Sequence, residues 1–333
     1  MIVFERYGFH FTTTNIATKD GHVLFLVVKM KGRSHVEAPR LSVWEYSEEE
    51  YVSFIQKRQI PAAYVILDDF SFLRRCPSIE LLTLIPSDQA PNHVSFEPVY
   101  GMPALKELSV KTVYGDMDRH WSEFDCGKLR SAPILEEFSA SCKKGVKNLS
   151  ALTGLRSLLL SSYNNAEDLC DAIGSLLLDT LDLLLCRIRS LDGIQVSRNL
   201  KVVKLANCYR LENIDALYSA RDTLRGLMLD SCKNIRDYSV LGELKKLTRL
   251  SLLGSGKIPS LAFIDQLPEL KTLTLSMDVE DGDLSYCDRL EHVSFYPNRR
   301  HFNRKDEDFP HLRRPDLILG DEEVDEWRRH VLR

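Results

Sequence analysis

From about residue 79 to about residue 298 the apolar positions recur in one frame, LxxLxLxx followed by Cys or Asn. A new copy begins roughly every 20 to 26 residues. The clearest copies are LKVVKLANCYRLENIDAL from Leu200, LRGLMLDSCKNIRDYSVL from Leu224, LTRLSLLGSGKIPSLAFI from Leu247 and LKTLTLSMD from Leu270. The same frame fits from Ile79, Leu105, Leu135, Leu155, Leu178 and Leu290, about ten turns in all. In the copy from Leu200, the residues Leu200, Val203 and Leu205 hold the first, fourth and sixth places. Alternation around Val203 and Leu205 predicts a short strand. Leu211, Ile214 and Leu217 follow at a spacing of three, which suits a 3₁₀ or short helical return. A helical period of 3.6 does not produce xLxLx segments followed by such returns, so ten amphipathic helices are the weaker reading. One copy cannot bury these side chains alone. The copies must stack, with strands parallel and side by side. Each buried Leu or Ile contributes roughly 1.5–3 kcal/mol, which outweighs local propensity.

The ends depart from the frame. Residues 1–75 predict a small α+β unit that caps the stack. Its strands fall at Ile2–Phe11, Val23–Met30, Leu41–Tyr46 and Tyr64–Leu67, the last feeding the first repeat. A helix is predicted in SEEEYVSFIQKR, with Ser47 as N-cap and acids in the first turn. Residues 76–298 are the repeat region, with insertions near 86–103 and 111–133. Residues 299–333 form a C-terminal cap: an edge strand at Leu317–Leu319, then a short helix in DEEVDEWRRHVL with Val324, Trp327 and Val331 on one face.

The repeated frame resembles the leucine-rich-repeat family in its short, cytosolic form, over about two thirds of the chain and most strongly from Leu178 to Met277. The resemblance implies an α/β solenoid, an arc with a concave parallel β-sheet, and a protein-binding role. In that family the ninth place points inward at the turn after the strand. Here it carries Cys186, Cys208, Cys232 and, in the last copy, Asn298. A thiol suits the place as a small, weakly polar core group. A metal-binding or redox ladder is the weaker reading, since no histidine or second cysteine stands beside any of them.

Composition narrows the class. The chain has 333 residues, 44% of them hydrophobic and 28% charged, with a formal net charge of −4. That is an ordinary soluble balance, and the mild acidity argues against a nucleic-acid partner. No run approaches the roughly 18 apolar residues of a membrane span. The start, MIVFERYGFHF, lacks a secretory h-region. Eight scattered cysteines favour reduced thiols and a cytoplasmic location. No phosphate-cradling glycine loop, HExxH, CxxC or GxSxG occurs, and no cofactor is implied. His120 and Cys126 share a loop with Asp116, Asp118, Glu123 and Asp125. A solvated loop explains that cluster better than a nucleophile pair or a metal site. Asp68 and Asp69 read as a polar turn ending a strand.

Two surfaces are candidates for binding. The third, fifth, seventh and eighth places of each copy point to the concave side, since the fourth and sixth point inward. In the middle copies they hold Leu159, Leu184, Val202, Met228 and Leu253, expected to be exposed, among Asp182, Lys204, Asp230 and Arg249. An apolar patch interleaved with charge resembles an interface. The second is the insertion KTVYGDMDRHWSEFDCGKLRSAP, whose Tyr114, Arg119, Trp121 and Phe124 are residue types that anchor partners. A non-enzymatic protein-binding function follows, acting as a monomer or in a heterodimer. One form of it is an immunity or antitoxin-type inhibitor that occludes a toxin domain. The alternative is an adaptor or substrate-recognition subunit, and an enzyme built on the N-terminal unit is the least supported.

Overall fold

A computed structural model describes residues 25–29, 48–59, 61–67, 69–86, 94–110, 123–131, 134–141, 146–164 and 166–310. It divides into two compact units between Leu155 and Arg156. The strands of the first are β1 (Phe25–Lys29), β2 (Ala62–Leu67), β3 (Leu81–Pro86), β4 (Glu107–Val110) and β5 (Glu137–Ser141). Each is parallel to the next and in register. Ala63, Leu82, Leu108 and Phe138 form one inward row, and Val65, Leu84, Val110 and Ala140 the next, all buried.

All ten copies of the frame place a strand where the alternation predicts it. Two more strands, β1 and β2, run ahead of them in the same register. In β2 small or β-branched residues, Ala63 and Val65, stand in the leucine places, so the frame is hidden in the sequence there. The predicted helix is present as Glu48–Arg58, with Val52 and Ile55 buried. Ser47, the strands at 2–11 and 41–46, and the elements expected at 317–332 lie outside the described residues.

The second unit carries β6 (Ser157–Ser161), β7 (Thr180–Leu184), β8 (Val202–Ala206), β9 (Gly226–Asp230) and β10 (Arg249–Leu253). After a short β11 (Lys257–Ile258) come β12 (Thr272–Leu275), β13 (Asp278–Val279) and β14 (His292–Phe295). The seven main strands are parallel and in register, while β11 and β13 make a separate two-stranded parallel ladder. The inward rows are Leu158, Leu181, Val203, Leu227, Leu250, Leu273, Val293 and Leu160, Leu183, Leu205, Leu229, Leu252, Leu275, Phe295, every one buried.

Most returns are 3₁₀ helices, such as Asp215–Ala220 with Leu217 inside, while the return between β6 and β7 is an α-helical turn at Cys170–Ile173. An Asx or Ser turn leads into many of them. Asn213 Oδ1 accepts from the Asp215 N–H at 2.7 Å, Asp237 Oδ1 from Ser239 at 2.8 Å, Ser260 Oγ from Ala262 at 3.1 Å and Asp283 Oδ1 from Ser285 at 3.0 Å.

The strand ends repeat as well. Ser162, Leu185, Asn207 and Ser231 occupy the same place in consecutive turns, and all have positive φ, 63°, 57°, 55° and 55°. Their N–H groups donate to the carbonyls of Leu184, Ala206, Asp230 and Leu253 in the following strand, at 2.7–2.9 Å. Gly254 takes the same place at φ 97°, and a Cβ there would lie 2.6 Å from Ser231 Oγ.

Next comes the thiol place. Cys186 Sγ donates to the Leu160 carbonyl at 3.3 Å, Cys208 Sγ to Leu183 at 3.6 Å and Cys232 Sγ to Leu205 at 3.6 Å. Hydrogen bonding with Cys208, and after it burial, pushes the Cys186 and Cys232 thiols up, so both stay protonated. Asn298 departs from the expectation. It is exposed, and its Oδ1 accepts from the Asp306 N–H at 2.9 Å.

Candidate protein-binding face

Parallel register sets out the strand face of the second unit as three rows. The first is Ser157, Thr180, Val202, Gly226, Arg249, Thr272 and His292. The second is Leu159, Asp182, Lys204, Met228, Ser251, Thr274 and Ser294. The third is Ser161, Leu184, Ala206, Asp230 and Leu253. The residues predicted for this face therefore do come together. Leu159, Leu184, Met228 and Leu253 are half-buried, and so are Asp182, Lys204, Asp230 and Arg249. Val202 is the exception. It is buried at 4% exposure, so it supports its neighbours and does not protrude.

Asp182 and Lys204 are register partners in the middle row. Burial raises the Asp182 carboxyl above its ordinary range, and the nearby Lys204 ammonium partly offsets this. A face of half-buried leucines and methionine around charges of both signs has the composition of an interface core with a polar rim.

Leu185, at the eighth place of its copy, stands beside this face, although it is not among the residues the pattern singles out. It stands at the end of β7, 45% exposed, in a left-handed conformation that L side chains with bulk avoid. Its signal was available. Its place in the neighbouring copies carries Ser, Asn, Ser and Gly, and a leucine breaks that series. Tyr209 follows one turn later, also exposed, with its hydroxyl 2.6 Å from Asn207 Oδ1 and Lys233 over its ring at 5.7 Å.

The insertion candidate fares differently. Tyr114, Arg119 and Trp121 lie outside the described residues. Phe124 is fully buried, so the expectation that it anchors a partner is overturned. Its ring sits among Phe96, Tyr100 and Phe138, with centroids 5.2, 5.3 and 6.2 Å away, and aromatic packing of this kind belongs to the core. Cys126 beside it is buried too, and burial is the main cause that pushes its thiol up. Asp125 forms a local turn. Its Oδ1 accepts from Asn148 Nδ2 at 2.7 Å and the Gly127 N–H at 2.9 Å, and its own N–H donates to Tyr100 Oη at 2.8 Å. The bond from Asn148 holds the Asp125 carboxyl below the usual range.

Among the described residues no group of His, Cys, Asp and Glu is placed to hold a metal ion. The described cysteines are all free thiols. No helix among the described residues is long and apolar enough to cross a membrane.

No protein-family model matches the chain, and no curated protein is significantly similar to it. Similar solved structures exist. The TLR13–ssRNA13 complex superposes with a TM-score of 0.52 at 15% identity, covering 77% of this chain and 46% of that one. The chain has the leucine-rich-repeat fold. An internalin of Listeria monocytogenes gives a TM-score of 0.49 at 17% identity over 74% of this chain and 71% of its own. A leucine-rich-repeat protein of Leptospira interrogans gives 0.31 at 13% identity over 74% and 81%.

Proposed function

We propose that this leucine-rich-repeat chain is a non-enzymatic protein-binding protein that grips its partner on the strand face of the second unit. The reading rests on one observation. Leu159, Leu184, Met228 and Leu253 are held in register, half-buried, around Asp182, Lys204, Asp230 and Arg249, with the strained and exposed Leu185 at the margin. Rigid strands fix these side chains before the partner arrives, so little ordering entropy is lost on binding. A standard interface of about 1,600 Å² is within reach of such a face. The partner class we favour is a toxin domain whose active site the face covers, in the manner of an immunity protein. Reduced thiols fit a cytoplasmic setting for that encounter, and the net charge of −4 disfavours a nucleic acid.

Affinity capture from the native host with the wild-type chain and the Lys204→Glu, Met228→Arg double variant tests the proposal. One stoichiometric protein, lost in the variant and harmful to cells when expressed alone, supports the inhibitor. Several weak, equally lost partners mean an adaptor instead. Partners retained in full by the variant overturn the face assignment.

A further inference from the structure

The thiol ladder stops after Cys232, and the place is taken by Ser255, next to Gly256. There the return changes form as well. The chain enters β11, which pairs with β13 one turn on, with Ile258 and Val279 buried beneath. Gly256 lies close under Met277, since a Cβ on it would meet Met277 Cε at 2.9 Å. These departures open a cleft of about 410 Å³ past the ends of β9 and β10. Lys233, Arg236 and Lys257 line it, with Ser255 and a single acid, Glu280.

Charge is balanced on much of the rest of this unit. Arg189 meets Glu167 and Glu212, Arg225 and Lys246 share Glu269, Lys271 meets Glu291, and Arg304 meets Asp288. The cleft is different. Lys257 reaches Glu280 only at 3.8 Å. Three cations against one carboxylate leave a formal charge of +2 (three minus one) in a protein whose overall charge is −4.

We infer that this cleft binds a phosphomonoester. Such a group carries about −1.5 to −2 charges at neutral pH and three strong acceptor oxygens. The Arg236 guanidinium supplies a planar fork for two of them, while the two ammonium groups act as point charges. The +2 of the cleft matches the dianion, where a single carboxylate would leave one cation uncompensated. The cleft shares Lys233 with the margin of the strand face, where its ammonium lies over the Tyr209 ring, but phosphate binding is measured without a protein partner and so stands or falls separately from the strand-face reading.

The test is a titration of the whole chain with inorganic phosphate at fixed ionic strength, followed by amide NMR shifts. Saturable shifts centred on Ser255, Gly256 and Lys257, weakened at least tenfold in Arg236→Glu and unchanged in Arg198→Glu, support the site. Linear shifts that sodium chloride reproduces, or saturation unaffected by Arg236→Glu, overturn it. Thermal unfolding of each variant, expected to match wild type because both arginines are exposed, excludes loss of fold as the cause. A phosphoserine peptide and its unphosphorylated twin then identify the source of the group. Tighter binding of the phosphopeptide than of phosphate assigns it to a modified chain, and equal binding assigns it to a small phosphate.

Discussion

At the residue scale, two side chains sit against the ordinary rules and both give measurable consequences. Leu185 holds a left-handed backbone that costs a bulky L residue about 1–2 kcal/mol. Leu185→Asn should raise stability by about 1 kcal/mol in chemical denaturation, since asparagine tolerates that conformation and little apolar area is lost at an exposed site. The same substitution should weaken partner binding, which is the expected signature of strain kept for recognition. Glu137 is the second. It is the register partner of Glu107 on the neighbouring strand, its Oε1 is buried without a hydrogen-bond partner, and burial with Glu107 and Glu136 pushes its carboxyl up to about 8 from 4.5. The folded chain therefore holds a proton that the unfolded chain releases. Stability from this group is full below about pH 4.5 and is lost as pH rises towards 8. Glu137→Gln should raise the melting temperature at pH 8 and leave it nearly unchanged at pH 4.5. Equal shifts at both pH values would show that the buried carboxyl does not titrate in this window.

At the scale of the element, each turn from β6 to β10 is a strand, a left-handed corner, a thiol or its substitute, and a short helical return that is 3₁₀ in all but the first. Leu205→Ala in β8 removes a fully buried side chain from the middle of an inward row and should cost about 2–5 kcal/mol by denaturant unfolding. The thiol ladder makes a separate prediction. In the native protein a thiol reagent should modify the exposed Cys170, whereas Cys186, Cys208 and Cys232 react only after unfolding, as read by peptide mass mapping. Much of this element was legible beforehand. Alternation places the main strands from β3 to β14, though not the short β11 and β13, and a spacing of three announces short helical returns. Strand β2 falls in the expected cap because Ala63 and Val65 fill places that leucine holds elsewhere, and β1, though Leu26 holds that place, stands too far ahead of β2 for the repeat spacing to reveal it. Phe124 falls within an insertion and so reads as surface, yet the aromatic residues that enclose it come from two other segments that no local pattern links, Phe96 with Tyr100 and Phe138 in β5.

At the scale of the molecule, function depends on which side of the stack is left uncovered. The strand face was legible because the strand period of two assigns alternate residues to opposite sides, and Leu159, Asp182, Lys204 and Met228 do form one row. The burial of Val202 was not legible, since it reflects neighbours on adjacent turns. Lys204→Gln, which removes the charge without setting a second carboxylate beside Asp182, should weaken partner affinity by about tenfold, or 1.4 kcal/mol, with only a small fall in the thermal midpoint, as measured by calorimetric binding and unfolding on the same sample. The basic cleft was also invisible in sequence, because Lys233, Arg236 and Lys257 come from two turns and are brought together only by the change in the return.

The left-handed corners carry a consequence for how such a chain lengthens or shortens. Each corner N–H finds its acceptor on the strand that follows, never on its own. Removing the stretch from Leu200 to Thr223 would bring the N–H of Leu185 to the end of β9, where the Asp230 carbonyl offers the same acceptor that Ala206 did. A cut of whole turns heals, and a cut of half a turn strands both donor and acceptor. Growth by copying intact segments is therefore compatible with the hydrogen bonding at every junction, and a protein deleted by that one segment should still fold while one deleted by half of it should not.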